Sequence, residues 1–207
     1  DRLVFPLALP GGRIVGFGGR ALGDQEPKYL NSPETRVYHK GRYLYGLSQA
    51  RTSIRATREA LLVEGYMDLA SLHEAGFTNA VASAGTALTP DQAGTIAKLA
   101  DKVFVVYDGD DAGTAAAVKA SELLVALGLK VRVVKLPGGS DPDSFVREEG
   151  GAAAFRDALA AAVDFIDFVA ALHAPRTPEA REATARTLLE TVARIEDPLK
   201  ADLMLEK

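Results

Sequence analysis

Between residues 59 and 136, short apolar runs alternate with longer stretches in which apolar residues recur every three or four positions. That is the pattern of buried strands alternating with helices. The runs are 60–64 (ALLVE), 80–83 (AVAS), 103–107 (VFVVY) and 130–136 (KVRVVKL). The intervening stretches predict helices at 68–75, 90–100 and 112–127. Thr89, with Gln92 three residues later, is the pair expected of a capping box for the second, and Gly128 is well placed to stop the third. The alternation predicts an α/β unit: a mostly parallel sheet flanked by helices. Ahead of it, residues 3–20 (LVFPLALPGGRIVGFGGR) predict two strands about a Pro-Gly-Gly turn, the second thinned by Gly16, Gly18 and Gly19 and read as a bulged edge. Residues 24–46 read as a long polar connection and 47–58 as a helix with a basic face. From about 150 only the helical period remains, at 152–162, 164–173, 177–195 and 198–207. Pro175 and Pro178 punctuate these, and Asp164, Thr177 and Asp197 look like helix-entry residues. The expected division is a small basic α+β segment (1–58), the α/β domain (59–148) and a helical subdomain (149–207).

The acidic residues that interrupt this pattern fall at one kind of place. Glu64 closes the first strand, Asp108 and Asp110 follow the third, and Asp141 and Asp143 follow the fourth. The carboxyl ends of parallel strands face the crevice where α/β proteins bind ligands. Carboxylates two residues apart can converge on one cation, and hard oxygen donors suit Mg²⁺ or Mn²⁺. Acids gathered at one sheet edge repel each other unless a cation offsets them. Asp68, in the first turn of the helix after Glu64, either favours that helix N-terminus or serves as an outer ligand. The opening D-x-D-x-x-G also begins an EF-hand loop, but Ala112 and Lys119 stand where that loop needs ligands.

Charge adds a second feature. The net charge is −4, but residues 1–58 hold ten Lys/Arg against four Asp/Glu, and the remainder fourteen against twenty-four. A basic first segment beside an acidic crevice suits an anion-binding surface next to a cation site. Within the long connection, Lys28, Tyr29, Asn31, Lys40 and Arg42 combine the chemistry that handles phosphates and stacked bases. Tyr38, Tyr43 and Tyr45 read as core, and His39 as a surface or hydrogen-bonded residue. A hydrophobic content of 47% suits a soluble protein with a real core. No apolar run approaches a membrane span and no signal-peptide pattern is present. The absence of cysteine excludes disulfides and any Cys-based zinc site in this chain and fits a cytosolic setting. The chain opens at Asp1 and closes inside a helical pattern, so it reads as a piece of a longer protein.

The acid pattern in LLVEGYMD, VFVVYDGDDAG and GSDPD resembles the Toprim fold of bacterial primases, type IA and II topoisomerases and some nucleases. With FGGR, PKYLNSPET and HKGRYLYG added, nearly the whole chain resembles the catalytic core of bacterial replicative primases of the DnaG family. The resemblance implies Glu64, Asp108 and Asp110 as the main metal-binding, catalytic acids, with Asp68, Asp141 and Asp143 completing the cluster around Mg²⁺ or Mn²⁺. It implies Arg20, Lys28, Tyr29, Asn31 and Lys40 as a basic ridge for nucleotide and template, and Ser83, Gly85 and Thr86 as a loop beside the site. The implied activity is synthesis of short RNA primers from ribonucleoside triphosphates on a single-stranded DNA template, in the bacterial cytoplasm at the replication fork. The implied partners of the full-length protein are a replicative helicase and single-strand-binding protein; the piece itself is expected to be monomeric. The rival expectations are a Toprim nuclease or topoisomerase, a non-catalytic nucleic-acid-binding Toprim module, and a phosphoacceptor domain using Asp108.

Overall fold

A computed structural model describes residues 1–172, 177–195, 198 and 201–202. His173, Pro175, Asp197 and most of the helix expected at 198–207 lie outside the described residues. β1 (Arg2–Ala8) and β2 (Ile14–Ala21) pair antiparallel about the Pro-Gly-Gly turn, and β3 (Tyr29–Asn31) adds to the other side of β2. The thinned strand is therefore the centre of a three-stranded sheet, not its edge. Its glycines serve close packing instead: a Cβ on Gly18 would lie 2.5 Å from Cζ of Tyr66, and one on Gly16 would lie 3.3 Å from the ring of Tyr38. The strand is bulged as expected: Leu7 pairs with Gly16 and Ala8 with Ile14, which leaves Val15 of β2 as the extra residue just ahead of the glycines. β3 was hidden because three residues inside a polar connection cannot display a period. The inner face of the sheet buries Phe5 and Leu7 with Tyr38, Tyr66 and Ala84, and Tyr43 and Tyr45 pack against them. A 3₁₀ turn at Lys40–Arg42 and α1 (Leu47–Thr57) lead onward. Leu47, Ala50 and Ile54 of α1 are buried at helical spacing.

The second sheet takes β4 (Glu59–Val63), β5 (Ala80–Ala82), β6 (Lys102–Val105) and β7 (Lys130–Val133) in the order β5-β4-β6-β7, all parallel. Three helices connect them: α2 (Tyr66–Glu74), α3 (Pro90–Ala97) and α4 (Asp111–Ala126). Because β4 lies between β5 and β6, the chain leaves β4 toward one side of the sheet and leaves β6 toward the other. The crevice between the carboxyl ends of β4 and β6 is the switch point where open α/β sheets place ligands.

The stretch 137–147 holds a 3₁₀ turn and a short helix, α5 (Pro142–Arg147), which the turn-rich sequence PGGSDPDSF concealed. Beyond it, α6 (Gly151–Ala160), α7 (Phe165–Leu172) and α8 (Pro178–Val192) agree with the helical pattern. One strand does not: β8 (Val163–Asp164) pairs antiparallel with β7 at the sheet edge, where Arg132 donates to the carbonyl of Ala162 at 2.6 Å. Phe165, Phe168, Val169, Val192 and Ile195 share one apolar cluster with Val103, Val131 and Leu124. The last segment thus packs on the sheet directly, at β7, and through α4. Among the described residues no helix is long and apolar enough to cross a membrane.

Candidate active site

A cleft of about 570 Å³ opens between the inner face of the small sheet and the carboxyl ends of β4 and β6. Twelve of the fourteen residues expected at a site line it: Arg20, Lys28, Tyr29, Asn31, Glu64, Asp68, Ser83, Gly85, Thr86, Asp108, Asp141 and Asp143. These come from six separate stretches of chain, so only the fold brings them together. Asp110 and Lys40 do not line the cleft. Lys40 stands at its margin, its ammonium 4.0 Å from where a Cβ of Gly85 would be.

The acids divide by what already holds them. Glu64 follows β4 directly and is half-buried. Its Oε1 is buried without a partner, and the backbone N–H of Asp108 nearby lowers its pKa slightly against the larger effects that raise it. Burial, then the neighbouring charges of Asp108 and Asp68, pushes its pKa up to about 7. Asp108 follows β6; burial, then Asp141 and Asp110, holds its carboxyl above the usual range. No hydrogen bond engages its side chain among the described residues. Asp68 is buried with both oxygens occupied: Oδ2 accepts from the N–H of Gly65 at 2.9 Å and Oδ1 from that of Asp143 at 3.3 Å. Burial raises it to about 6. Of its two expected roles, the structure displays the one at the helix start. Asp110 and Asp141 cap α4 and α5, accepting from Gly113 N at 2.6 Å and Ser144 N at 2.7 Å. Asp143 accepts from Ser71 Oγ and, at 2.6 Å, from Arg147 Nε.

Among the described residues no three such side chains are drawn together as a ready-made metal cage. The donor set nevertheless fits a hard divalent cation. Two carboxylates on adjacent strand ends are held where burial and mutual repulsion disfavour their charge, and one buried oxygen has no other partner.

The opposite wall is basic and aromatic. The pairing of β2 with β3 sets Arg20 opposite Tyr29 and Gly18 opposite Asn31. The Arg20 guanidinium lies 5.9 Å from the centre of the Tyr29 ring, and Tyr29 stands 6.3 Å from Tyr66, which stacks on Phe5 at 4.8 Å. Asn31 is committed internally: Oδ1 accepts from the Tyr66 hydroxyl at 2.7 Å, and Nδ2 donates to Ala84 O at 3.3 Å. The loop after β5 carries two left-handed residues, Ala84 (φ 57°) and Gly85 (φ 85°), and Thr86 donates back to Ser83 O at 3.3 Å.

Tyr66, Met67 and Tyr107 also line the cleft and were not foreseen as site residues. The Tyr107 hydroxyl is buried beside Ser83 and Glu64 without a well-formed hydrogen bond, and burial, then the Glu64 charge, raises its pKa. The one available signal was a polar tip ending an otherwise apolar run.

Residues 1–51 match the model of the DNA primase catalytic core N-terminal domain, and residues 61–146 a Toprim-like family model. The DNA primase domain from Pseudomonas aeruginosa superposes with a TM-score of 0.88 at 40% identity, over 99% of this chain and 66% of that one. A DnaG primase catalytic domain bound to single-stranded DNA superposes with a TM-score of 0.86 at 37% identity, over 100% and 68%. The chain belongs to the bacterial DnaG primase family. Among curated relatives, the DNA primase of Clostridium acetobutylicum is 47% identical over 81% of this chain, and that of Deinococcus radiodurans 40% identical over 97%. The chain spans 28% and 36% of their respective lengths. The fold is that of the DnaG catalytic core: a Toprim-like α/β unit preceded by a small β segment.

Proposed function

We propose that this chain is the centre of a primase active site, which in the longer protein makes short RNA primers on single-stranded DNA. The observation that carries the reading is one cleft with two strand-end carboxylates on one wall and Arg20, Lys28 and Tyr29 on the other. The reaction joins the 3′-oxygen of one ribonucleotide to the α-phosphorus of the next and releases pyrophosphate. Glu64 and Asp108 are the residues that would hold a divalent cation, with Asp110 beside them. When bound, that ion lowers the pKa of the attacking hydroxyl and offsets charge on the phosphate oxygens. The acids act here as ligands rather than proton acceptors. Asp68, Asp141 and Asp143 add negative field, and their hydrogen bonds keep α2 and α5 against the cleft. Arg20 binds phosphate through two donors and Lys28 and Lys40 through point charge. Tyr29, with its ring partly exposed and backed by Tyr66, offers a face for a base. The same reading implies a cytoplasmic protein at the replication fork, with Mg²⁺ or Mn²⁺ as cofactor and a helicase and single-strand-binding protein as partners.

Two measurements test this. Calorimetric titration of the chain with Mn²⁺ should show binding that Glu64→Gln/Asp108→Asn/Asp110→Asn abolishes while leaving the fold intact. In a longer protein that includes the rest of the catalytic core, Asp108→Asn should lower ribonucleotide incorporation on single-stranded DNA by about a hundredfold or more. Full incorporation by that variant would sink the metal-ligand role. Cleavage of DNA with no incorporation would turn the assignment toward the Toprim nucleases.

A further inference from the structure

The basic turn bearing Lys40 and the cleft loop 83–87 belong to different parts of the fold, yet one buried side chain touches both. Gln92 is fully buried in the first turn of α3. Its Nε2 donates to Tyr43 O at 2.8 Å and, more weakly, to Ser83 O at 3.5 Å, while Oε1 accepts from Thr89 N at 3.1 Å. Thr89 Oγ1 accepts from Gln92 N at 3.2 Å and donates to Gly41 O. Asp91 adds an exposed ion pair to Arg42 at 3.3 Å. Three consecutive residues after Lys40 are thus each held by the start of α3. Glycine at 41 leaves room for this approach, since a Cβ there would stand 3.2 Å from Thr89 Cγ2. A capping box needs only the Thr89–Gln92 exchange. The box leaves the Gln92 amide protons and the Thr89 hydroxyl proton free, and here they are spent on carbonyls 49 and 48 residues away in sequence, at Tyr43 and Gly41.

We propose that Gln92, with Thr89, is a positioning residue of the active site: it fixes the Lys40 ammonium and the Ser83–Ala87 loop at one height on the cleft wall. A buried amide suits this because its donors and acceptor have fixed directions, and breaking one bond leaves a carbonyl unpaired. The inference rests on the phosphate-binding role given to Lys40 above. It goes further by assigning the precision of that contact to a residue with no access to substrate.

The test is a double-mutant cycle in the longer catalytic core, read as the KM for ribonucleoside triphosphate and the kcat of primer synthesis. Lys40→Ala alone should raise KM about tenfold with kcat changed far less. Gln92→Leu, similar in volume and without hydrogen bonds, should raise KM about threefold to tenfold; on the Lys40→Ala background it should add little further. Thr89→Val, which keeps the shape and loses the bond to Gly41, should shift KM in the same direction and serves if Gln92→Leu fails to fold. An unchanged KM in Lys40→Ala would overturn the phosphate role of Lys40 itself. A normal KM in Thr89→Val and Gln92→Leu beside an impaired Lys40→Ala would overturn the positioning role alone. So would effects that multiply independently in the double variants.

Discussion

At the scale of single residues, the candidate site is a set of carboxyl groups under different constraints. Glu64 is the extreme case, because burial and three neighbouring carboxylates lift it to about 7. Its folded pKa lies above the unfolded value, so the folded state binds more protons between about pH 4.5 and 7. The sign follows: stability associated with this group is greatest below about pH 4.5 and falls as pH rises through 7. Without metal, Glu64→Gln should therefore stabilise the chain at pH 8 by roughly 1 kcal/mol, or about 2–4 °C in Tm, with the gain shrinking toward pH 5. Thermal unfolding across that range checks it. Added Mn²⁺ should raise the Tm of the parent at pH 8 and leave the variant nearly unmoved. A variant less stable than the parent at pH 8 would contradict the repulsion argument.

Asp110 carries two roles that substitution can separate. As the cap of α4 it accepts from the N–H of Gly113, a task asparagine performs as well as aspartate. As a proposed ligand it needs its charge. Asp110→Asn should keep stability within a few tenths of a kcal/mol, whereas Asp110→Ala should lose about 1 kcal/mol. Both should weaken Mn²⁺ binding. Equal stability of the two variants in urea denaturation would remove the cap from the account. The same tension between local and distant roles explains why elements were unevenly legible. The strands β4, β6 and β7 and the helix α4 announce themselves through runs long enough to carry a period. β3, β8 and α5 have three, two and six residues; the two strands take their form from partners distant in sequence, and α5, though locally capped by Asp141, is too short to show a period.

At the scale of the whole molecule, the site depends on how the small sheet sits on the α/β unit. Tyr66 is the pin: its ring stacks on Phe5, its hydroxyl reaches Asn31, and Asn31 reaches on to Ala84. Gly18 faces that ring, which is held on both sides and cannot swing away. Gly18→Ala should cost about 1–3 kcal/mol through overpacking. It should also loosen the sheet ahead of the rest, so limited proteolysis should cut within residues 9–28 sooner than in the parent. A stability loss without earlier cleavage there would mean that the two parts unfold as one. An antiparallel bridge between Tyr45 and Ala82 and the α3 grip on residues 41–43 complete the attachment.

Sequence alone determined the α/β alternation, the placing of acids after successive strands, the capping box at Thr89 and Gln92, and the basic character of the first segment. Each is a local statement: a period, a spacing or a composition readable within a dozen residues. Tertiary structure alone decided that twelve of the expected residues share one cleft, that Glu64 keeps an unpaired buried oxygen while Asp68 spends both of its own, and that Asn31 is a link between two parts of the fold. It also decided that Gln92 reaches past its own helix cap to the turn beside Lys40. These are facts about which groups compete for the same hydrogen bonds and the same burial. Such competition is set by neighbours tens of residues away, and no local pattern in the chain records it.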